Sequence, residues 1–163
     1  AFMTTVHAYT NDQKILDVPH KKHRRGRGAA VNIIPTTSGA TTSVAEAIPE
    51  LKGKMDGLAL RVPVACGSIV DFVAELNKKV TKEQINNAFK KAASEKMKGI
   101  LQYTEDEIVS SDIIKNPNTS IVDGLSTQVL GDGKSGNLVK VLSWYDNEYA
   151  YSCKIVDLIK MLK

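Results

Sequence analysis

The chain has 163 residues and a mass of 17.8 kDa, 42% hydrophobic and 25% charged, a balance that fits one folded domain and excludes a low-complexity or disordered polymer. Mean hydropathy is −0.18 and no apolar run approaches the ~20 residues of a membrane helix, so no bilayer-spanning segment is expected. The net charge of +4 is local: five cations sit at Lys21, Lys22, Arg24, Arg25 and Arg27, and without them acids would outnumber bases by one.

In chain order, Met3 to Tyr9 is rich in β-branched and aromatic residues and reads as a strand with His7 near its end. Thr10 to Gly28 has no sustained period and reads as a long loop carrying the basic cluster; no Asp or Glu occurs between Asp17 and Glu46. Ile33 to Gly39 stops an apolar run with Pro35, two threonines, Ser38 and Gly39, just before a helix-compatible stretch from Ala40 to Ile48 that Pro49 ends. Leu58 to Ala65 and Ser68 to Leu76 read as strands, with Cys66-Gly67 re-aiming the chain between them. Thr81-Lys82-Glu83-Gln84 has the form of a capping box, and Ile85, Ala88, Phe89 and Ala92 fall on one helical face, so a helix is expected to about Lys96. Short apolar runs at Ile100 to Tyr103, Ile108 to Ser110, Ser120 to Val122, Thr127 to Leu130 and Leu138 to Trp144 read as further strands. The stretch Asp132 to Asn137 reads as a hairpin connection. Ser152 to Lys163 is expected to be helical, with Ile155, Leu158, Ile159 and Leu162 on one stripe. Together these elements predict an α+β fold, a mostly antiparallel mixed sheet with helices packed on one face, formed by residues 1–163 as a single domain.

Four features can carry chemistry. His7 can act as an acid or base near neutral pH, although a histidine at a strand end is commonly an ordinary hydrogen-bonded residue. Thr36-Thr37-Ser38-Gly39 offers hydroxyls and an approachable backbone to an anion, or is an ordinary helix cap. Arg61 lies within an apolar run and requires a partner, either a carboxylate of the protein or a phosphate of a ligand. The basic segment suits an anion, a subunit contact or nucleic acid, but no aromatic is interleaved in it to stack on bases. Cys66 and Cys153 lie far apart without ligand spacing, so neither a disulfide framework nor a metal site is indicated and a reducing, cytoplasmic setting is expected. The first residues show no targeting segment and read as a strand cut from a longer chain.

Read together, seven segments resemble the C-terminal catalytic domain of phosphorylating glyceraldehyde-3-phosphate dehydrogenase. They are Thr4 to Gln13, Arg24 to Ala30, Asn32 to Gly39, Leu51 to Lys54, Ala59 to Pro63, Val70 to Phe72 and Trp144 to Glu148. The resemblance implies that His7 is the catalytic histidine, acting on a cysteine that the family carries in a Ser-Cys-Thr-Thr-Asn stretch upstream of it, which is not in this chain. It implies Thr10 and Arg61, with Arg24 as a third, as ligands of the substrate's phosphate, and Ser38 and Gly39 as the inorganic-phosphate site. Asn147 is implied to orient the nicotinamide carboxamide of NAD or NADP, with Tyr151 packed nearby. The implied partners are a phosphorylated aldehyde, inorganic phosphate, the family's own N-terminal cofactor-binding domain and, through the segment Thr10 to about Asn32, neighbouring subunits of a homotetramer. Without that N-terminal half the chain is expected to be inactive. Ser38 stands where the family usually has Thr, and Val64 to Gly67 departs from the common pattern, leaving an erythrose-4-phosphate dehydrogenase-like domain as an alternative; from another class the alternative is an anion- or nucleic-acid-binding interaction module acting through the basic segment.

Overall fold

The computed structural model describes residues 1–162, with residues 41 and 42 given by backbone only. Seven strands form one sheet: β1 (Phe2–Ala8), β2 (Ile34–Thr37), β3 (Asp56–Val62), β4 (Ser68–Val80), β5 (Leu101–Thr104), β6 (Ser120–Gly131) and β7 (Gly136–Tyr145). They lie in the order β2-β3-β1-β4-β7-β6-β5. β1 with β3 and β5 with β6 run parallel; the other neighbours are antiparallel. Three helices, α1 (Ala40–Ala47), α2 (Lys82–Ser94) and α3 (Tyr149–Met161), complete the expected α+β class. No helix among the described residues is long and apolar enough to cross a membrane.

The helix predicted from residue 81 forms for the predicted reason. Thr81 Oγ1 accepts the Gln84 N–H at 3.2 Å while Gln84 Oε1 accepts the Thr81 N–H at 2.9 Å, satisfying two donors that helix geometry leaves open. Ile85, Phe89 and Ala92 then pack on buried Leu101, Val122 and Val141, which come from β5, β6 and β7. The predicted hairpin joins β6 to β7: Asp132 Oδ1 takes the N–H groups of Lys134 and Ser135, and Gly133 supplies the left-handed residue at φ 87°.

Several boundaries differ from the sequence expectation. Ile108 to Ser110 is not a strand, because local acceptors take its backbone: the Ile108 N–H bonds to Asp106 O and the Val109 N–H to Asp112 Oδ2 at 2.7 Å. The runs at 120–122 and 127–130 belong to one strand, β6, whose register shifts between Asp123 and Gln128 while the Asp123 carboxylate accepts the Ser126 N–H. β2 is a strand despite Pro35, which is tolerated because β2 is the sheet's edge. β4 runs on past Leu76 to Val80, with a register shift after Glu75. β1 inserts between β3 and β4, so Cys66-Gly67 connects strands that are not neighbours. α3 starts three residues before Ser152 because the Asp146 carboxylate accepts the Glu148 and Tyr149 N–H groups, each at 2.8 Å. Its predicted apolar stripe forms and faces solvent, with Ile155 42%, Leu158 58% and Ile159 55% exposed; the end predicted at Lys163 lies outside the described residues.

The sheet register places the candidate residues. His7 stands opposite Arg61 in the parallel β1–β3 pair, and Ser68 opposite Tyr145 in the β4–β7 pair. Ser68 occupies the rung after Val6–Ile69, so Arg61, His7, Ser68 and Tyr145 form a row across four strands. Alternation puts that row on the face that carries α2, at one end of the sheet.

Candidate active site

His7 is the centre of the row. Its Nδ1 lies 2.6 Å from Ala8 O, and one guanidinium nitrogen of Arg61 lies 3.1 Å from the same carbonyl and 2.8 Å from Nδ1. A carbonyl only accepts and a guanidinium only donates, so Nδ1 meets one of each: with the ring proton on Nδ1 it donates to Ala8 O, and with the proton on Nε2 it accepts from Arg61. In the tautomer that makes the shorter, 2.6 Å contact as a donor, Nε2 keeps its lone pair and is the atom free to take a proton. The ring stands edge-on to Tyr145, centroids 6.0 Å apart at 70°. Burial lowers the imidazole pKa below the ordinary 6.5; the Ala8 carbonyl opposes this, and the Arg61 charge adds to it. Burial also raises the Tyr145 phenol, against the Ser68 hydroxyl and the Arg61 charge.

Among the described residues Arg61 forms no ion pair, and its buried Nε has no hydrogen-bond partner. Burial, and then the like charge of Arg25, hold its pKa below the ordinary value. Arg61 thus stands beside a histidine with no carboxylate bonded to it, within the field of Arg25 and of the Asp12 that pairs Arg25, an arrangement open to an anion.

The basic loop is held by two acids that precede it. Asp12 accepts from Arg25 at 2.6 Å and from His20 at 3.3 Å; Asp17 accepts from Arg27 at 2.8 Å and from the Gly28 N–H at 2.7 Å. Arg25 Nε reaches Thr36 Oγ1 at 2.7 Å, and Lys22 reaches Thr37 Oγ1 at 3.1 Å. The loop folds back tightly: the Val18 N–H bonds to Gly26 O, and a Cβ on Gly26 would lie 2.4 Å from Val18 O, so only glycine fits there. Thr10 starts the turn that aims this assembly, its N–H and hydroxyl both directed at Gln13 Oε1, at 3.0 and 3.4 Å. The turn brings Arg25 to the Arg61 corner. Arg24 lines a basic depression that Arg25 also borders, with Lys22, His23, Thr37 and Leu58. Ser38 and Gly39 stand apart from His7: β2 runs antiparallel to β3 with Ile34 opposite Arg61, so Ser38 lies four residues, ~13 Å, further along the strand. Ser38 Oγ accepts the Ala40 N–H at 3.2 Å, and Gly39 has open space around it.

On its other side His7 borders a cavity of about 240 Å³ shared with Tyr145, Asn147, Tyr151 and Lys154. His7, Asn147 and Tyr151, far apart in sequence, therefore meet around one space. Its size suits a single aromatic ring and not a whole dinucleotide. The junction that carries Asn147 is fixed by Asp146, 2% exposed, whose carboxylate accepts from the N–H groups of Lys115, Glu148 and Tyr149 and from the Cys66 thiol. Burial alone would raise the Asp146 pKa, but these donors outweigh it and hold the carboxyl below the usual range. Gly67, at φ 92°, lets the preceding turn pass close under Ser110 O. Sequence reasoning overlooked Arg25 and the Asp146 hub; a buried acid flanked by donors leaves no periodic trace.

Residues 1–147 match the family model described as glyceraldehyde 3-phosphate dehydrogenase, C-terminal domain. The chain is 58% identical over 162 residues to glyceraldehyde-3-phosphate dehydrogenase of Borreliella burgdorferi, covering 98% of this chain and 47% of that protein. It is 57% identical over 156 residues to the Geobacillus stearothermophilus enzyme of the same name, covering 96% and 45%, and 56% identical over 156 residues to glyceraldehyde-3-phosphate dehydrogenase 1 of Bacillus subtilis, with the same coverage. The chain spans about half the length of the curated relatives it matches.

Proposed function

The chain belongs to the glyceraldehyde 3-phosphate dehydrogenase C-terminal domain family, and on that premise we propose that residues 1–163 are the catalytic domain of a two-domain phosphorylating aldehyde dehydrogenase. Its substrate is glyceraldehyde 3-phosphate, oxidised with inorganic phosphate to 1,3-bisphosphoglycerate through a thioester on a cysteine of the other half. NAD or NADP, when bound, supplies the hydride acceptor. The single observation that carries this reading is the half-buried Arg61 guanidinium, which lacks a carboxylate among the described residues, shares a carbonyl with His7 and faces the charge of Arg25.

In this reading Arg61, Arg25 and Thr10 hold the substrate's phosphate, with Arg24 contributing from the adjoining depression. Ser38 and Gly39 hold the inorganic phosphate at a distance, because a reaction that joins one phosphate to an acyl group already carrying another must keep two anions apart. His7 Nε2 removes the proton released as the aldehyde adduct is oxidised, while its Nδ1–H stays on Ala8 O. Asn147 orients a carboxamide in the 240 Å³ cavity and Tyr151 walls the ring. The wider basic loop does not serve as a nucleic-acid stripe, since Asp12, Asp17, Thr36 and Thr37 engage Arg25, Arg27 and Lys22. Homotetramer assembly and cytoplasmic location follow the family.

The test is phosphate-dependent reduction of nicotinamide nucleotide by the complete two-domain protein, with glyceraldehyde 3-phosphate and erythrose 4-phosphate compared. Arg61→Ala is expected to raise the triose phosphate KM by about a hundredfold, the worth of a paired charge–phosphate contact. An unchanged KM would remove the assignment, and His7→Ala with undiminished kcat would remove that of the base.

A further inference from the structure

We infer that Ser68 is a positioning residue which locks the Asn147 amide to the strand end carrying His7; the inference rests on the roles given to His7 and Asn147 above. Ser68 is 1% exposed, and its hydroxyl is used in both directions. Oγ accepts the N–H of Ala8, the residue after His7, at 3.2 Å, and its own proton goes to Asn147 Oδ1 at 3.0 Å. The Gly67 N–H reaches the same Oδ1 at 3.1 Å.

Gly67 N–H is a donor without ambiguity, so the oxygen of the Asn147 amide must be the end that faces it. With Oδ1 taken by these two donors and one Nδ2 proton given to Glu148 Oε1 at 3.2 Å, the second Nδ2 proton is left to address a ligand, and it is a donor. The site therefore presents a hydrogen-bond donor to the group bound there, suited to the carbonyl oxygen of a carboxamide. Removing the Ser68 hydroxyl strips one of the two donors from Oδ1 and leaves the Ala8 N–H without its acceptor. The amide then gains freedom to rotate, and the spacing between it and the imidazole is no longer held by a direct path.

The test uses Ser68→Ala, Ser68→Thr and Asn147→Ala in the complete two-domain protein, reading the dissociation constant of the nicotinamide dinucleotide by calorimetry with no turnover. Ser68→Ala is expected to weaken dinucleotide binding about five- to tenfold, the scale of one hydrogen bond, with phosphate affinity unchanged. Ser68→Thr, which keeps the hydroxyl, recovers most of it. In an Asn147→Ala background Ser68→Ala adds no further loss, because the relay acts through that amide. In this chain the Ala8 amide proton exchanges faster in Ser68→Ala than in the parent. Should Ser68→Ala not fold, Ser68→Cys replaces it with a weaker donor of similar size, and the same readings apply. Unchanged binding, or an equal loss in the Asn147→Ala background, overturns the relay while leaving the function intact. A parent protein that binds no dinucleotide overturns the functional reading and the relay with it.

Discussion

Replacing Arg61 with Met should separate what the guanidinium does for binding from what it does for stability. The substitution keeps length and hydrophobic bulk and removes the charge. It forfeits the N–H contact to Ala8 O, worth about 1 kcal/mol. Against that it relieves the buried Nε that has no partner, a penalty of about 1–3 kcal/mol, and removes repulsion with Arg25. The net is a gain of about 1 kcal/mol in phosphate-free, low-salt buffer, or about 2–4 °C in Tm for a domain of this size. Phosphate reverses the order: at about a hundredfold over its Kd for the Arg61 site it stabilises the parent by about 2.7 kcal/mol through that site, a gain that Arg61→Met loses while keeping whatever phosphate gives at Ser38 and Gly39. Thermal unfolding of the 163-residue chain across a phosphate series measures both effects, and the two curves are expected to cross. A variant that is less stable than the parent without phosphate, or that responds to phosphate as the parent does, refutes the argument that Arg61 is a charge waiting for an anion.

Three other outcomes follow from the same geometry. The folded His7 pKa lies below 6.5, so the unfolded chain binds more protons in the window between the two values. Stability should therefore rise with pH through that window and level off above it, and His7→Ala should flatten the rise in urea titrations; phosphate opposite Arg61 should move the ring's NMR titration upward. Asp146→Asn should cost about 2–4 kcal/mol by chemical denaturation, since an amide offers one acceptor where the carboxylate takes four donors. Because the Asp146 pKa is lowered from 3.8, its stabilisation is present above that pH and fades as pH falls through the folded value, so the deficit should shrink in acid. Thr81→Ala should remove about 1 kcal/mol by breaking the cap of α2, with the phosphate response unaltered.

The parts of this architecture that were legible in the sequence are those set by local rules or by exact motif matches. Helix α2 follows from Thr81, Gln84 and the Ile85 stripe, and the β6–β7 turn from Asp132 and Gly133. His7, Asn147 and Tyr151 were legible only through resemblance; their meeting around one cavity depends on a sheet order in which β1 enters between β3 and β4. Which arginine of the adjacent pair turns inward was not legible. Both sit in the tight turn His23–Gly26, where successive side chains point about 120° apart, and only the partners Asp12 and Thr36 select Arg25. The strand expected at Ile108 to Ser110 fails because Asp106 and Asp112 compete locally for the backbone, an effect that apolar content does not register.

The parallel pairing of β1 with β3 also sets the order of events as the polypeptide first acquires its shape. His7 and Arg61 are 54 residues apart, and parallel neighbours cannot be zipped together from a tight turn. The β6–β7 hairpin can nucleate early, whereas the histidine–arginine corner waits on closure of a long span. In a refolding experiment the backbone signal of strands and helices should therefore recover ahead of phosphate affinity, so the chemistry of this molecule matures last.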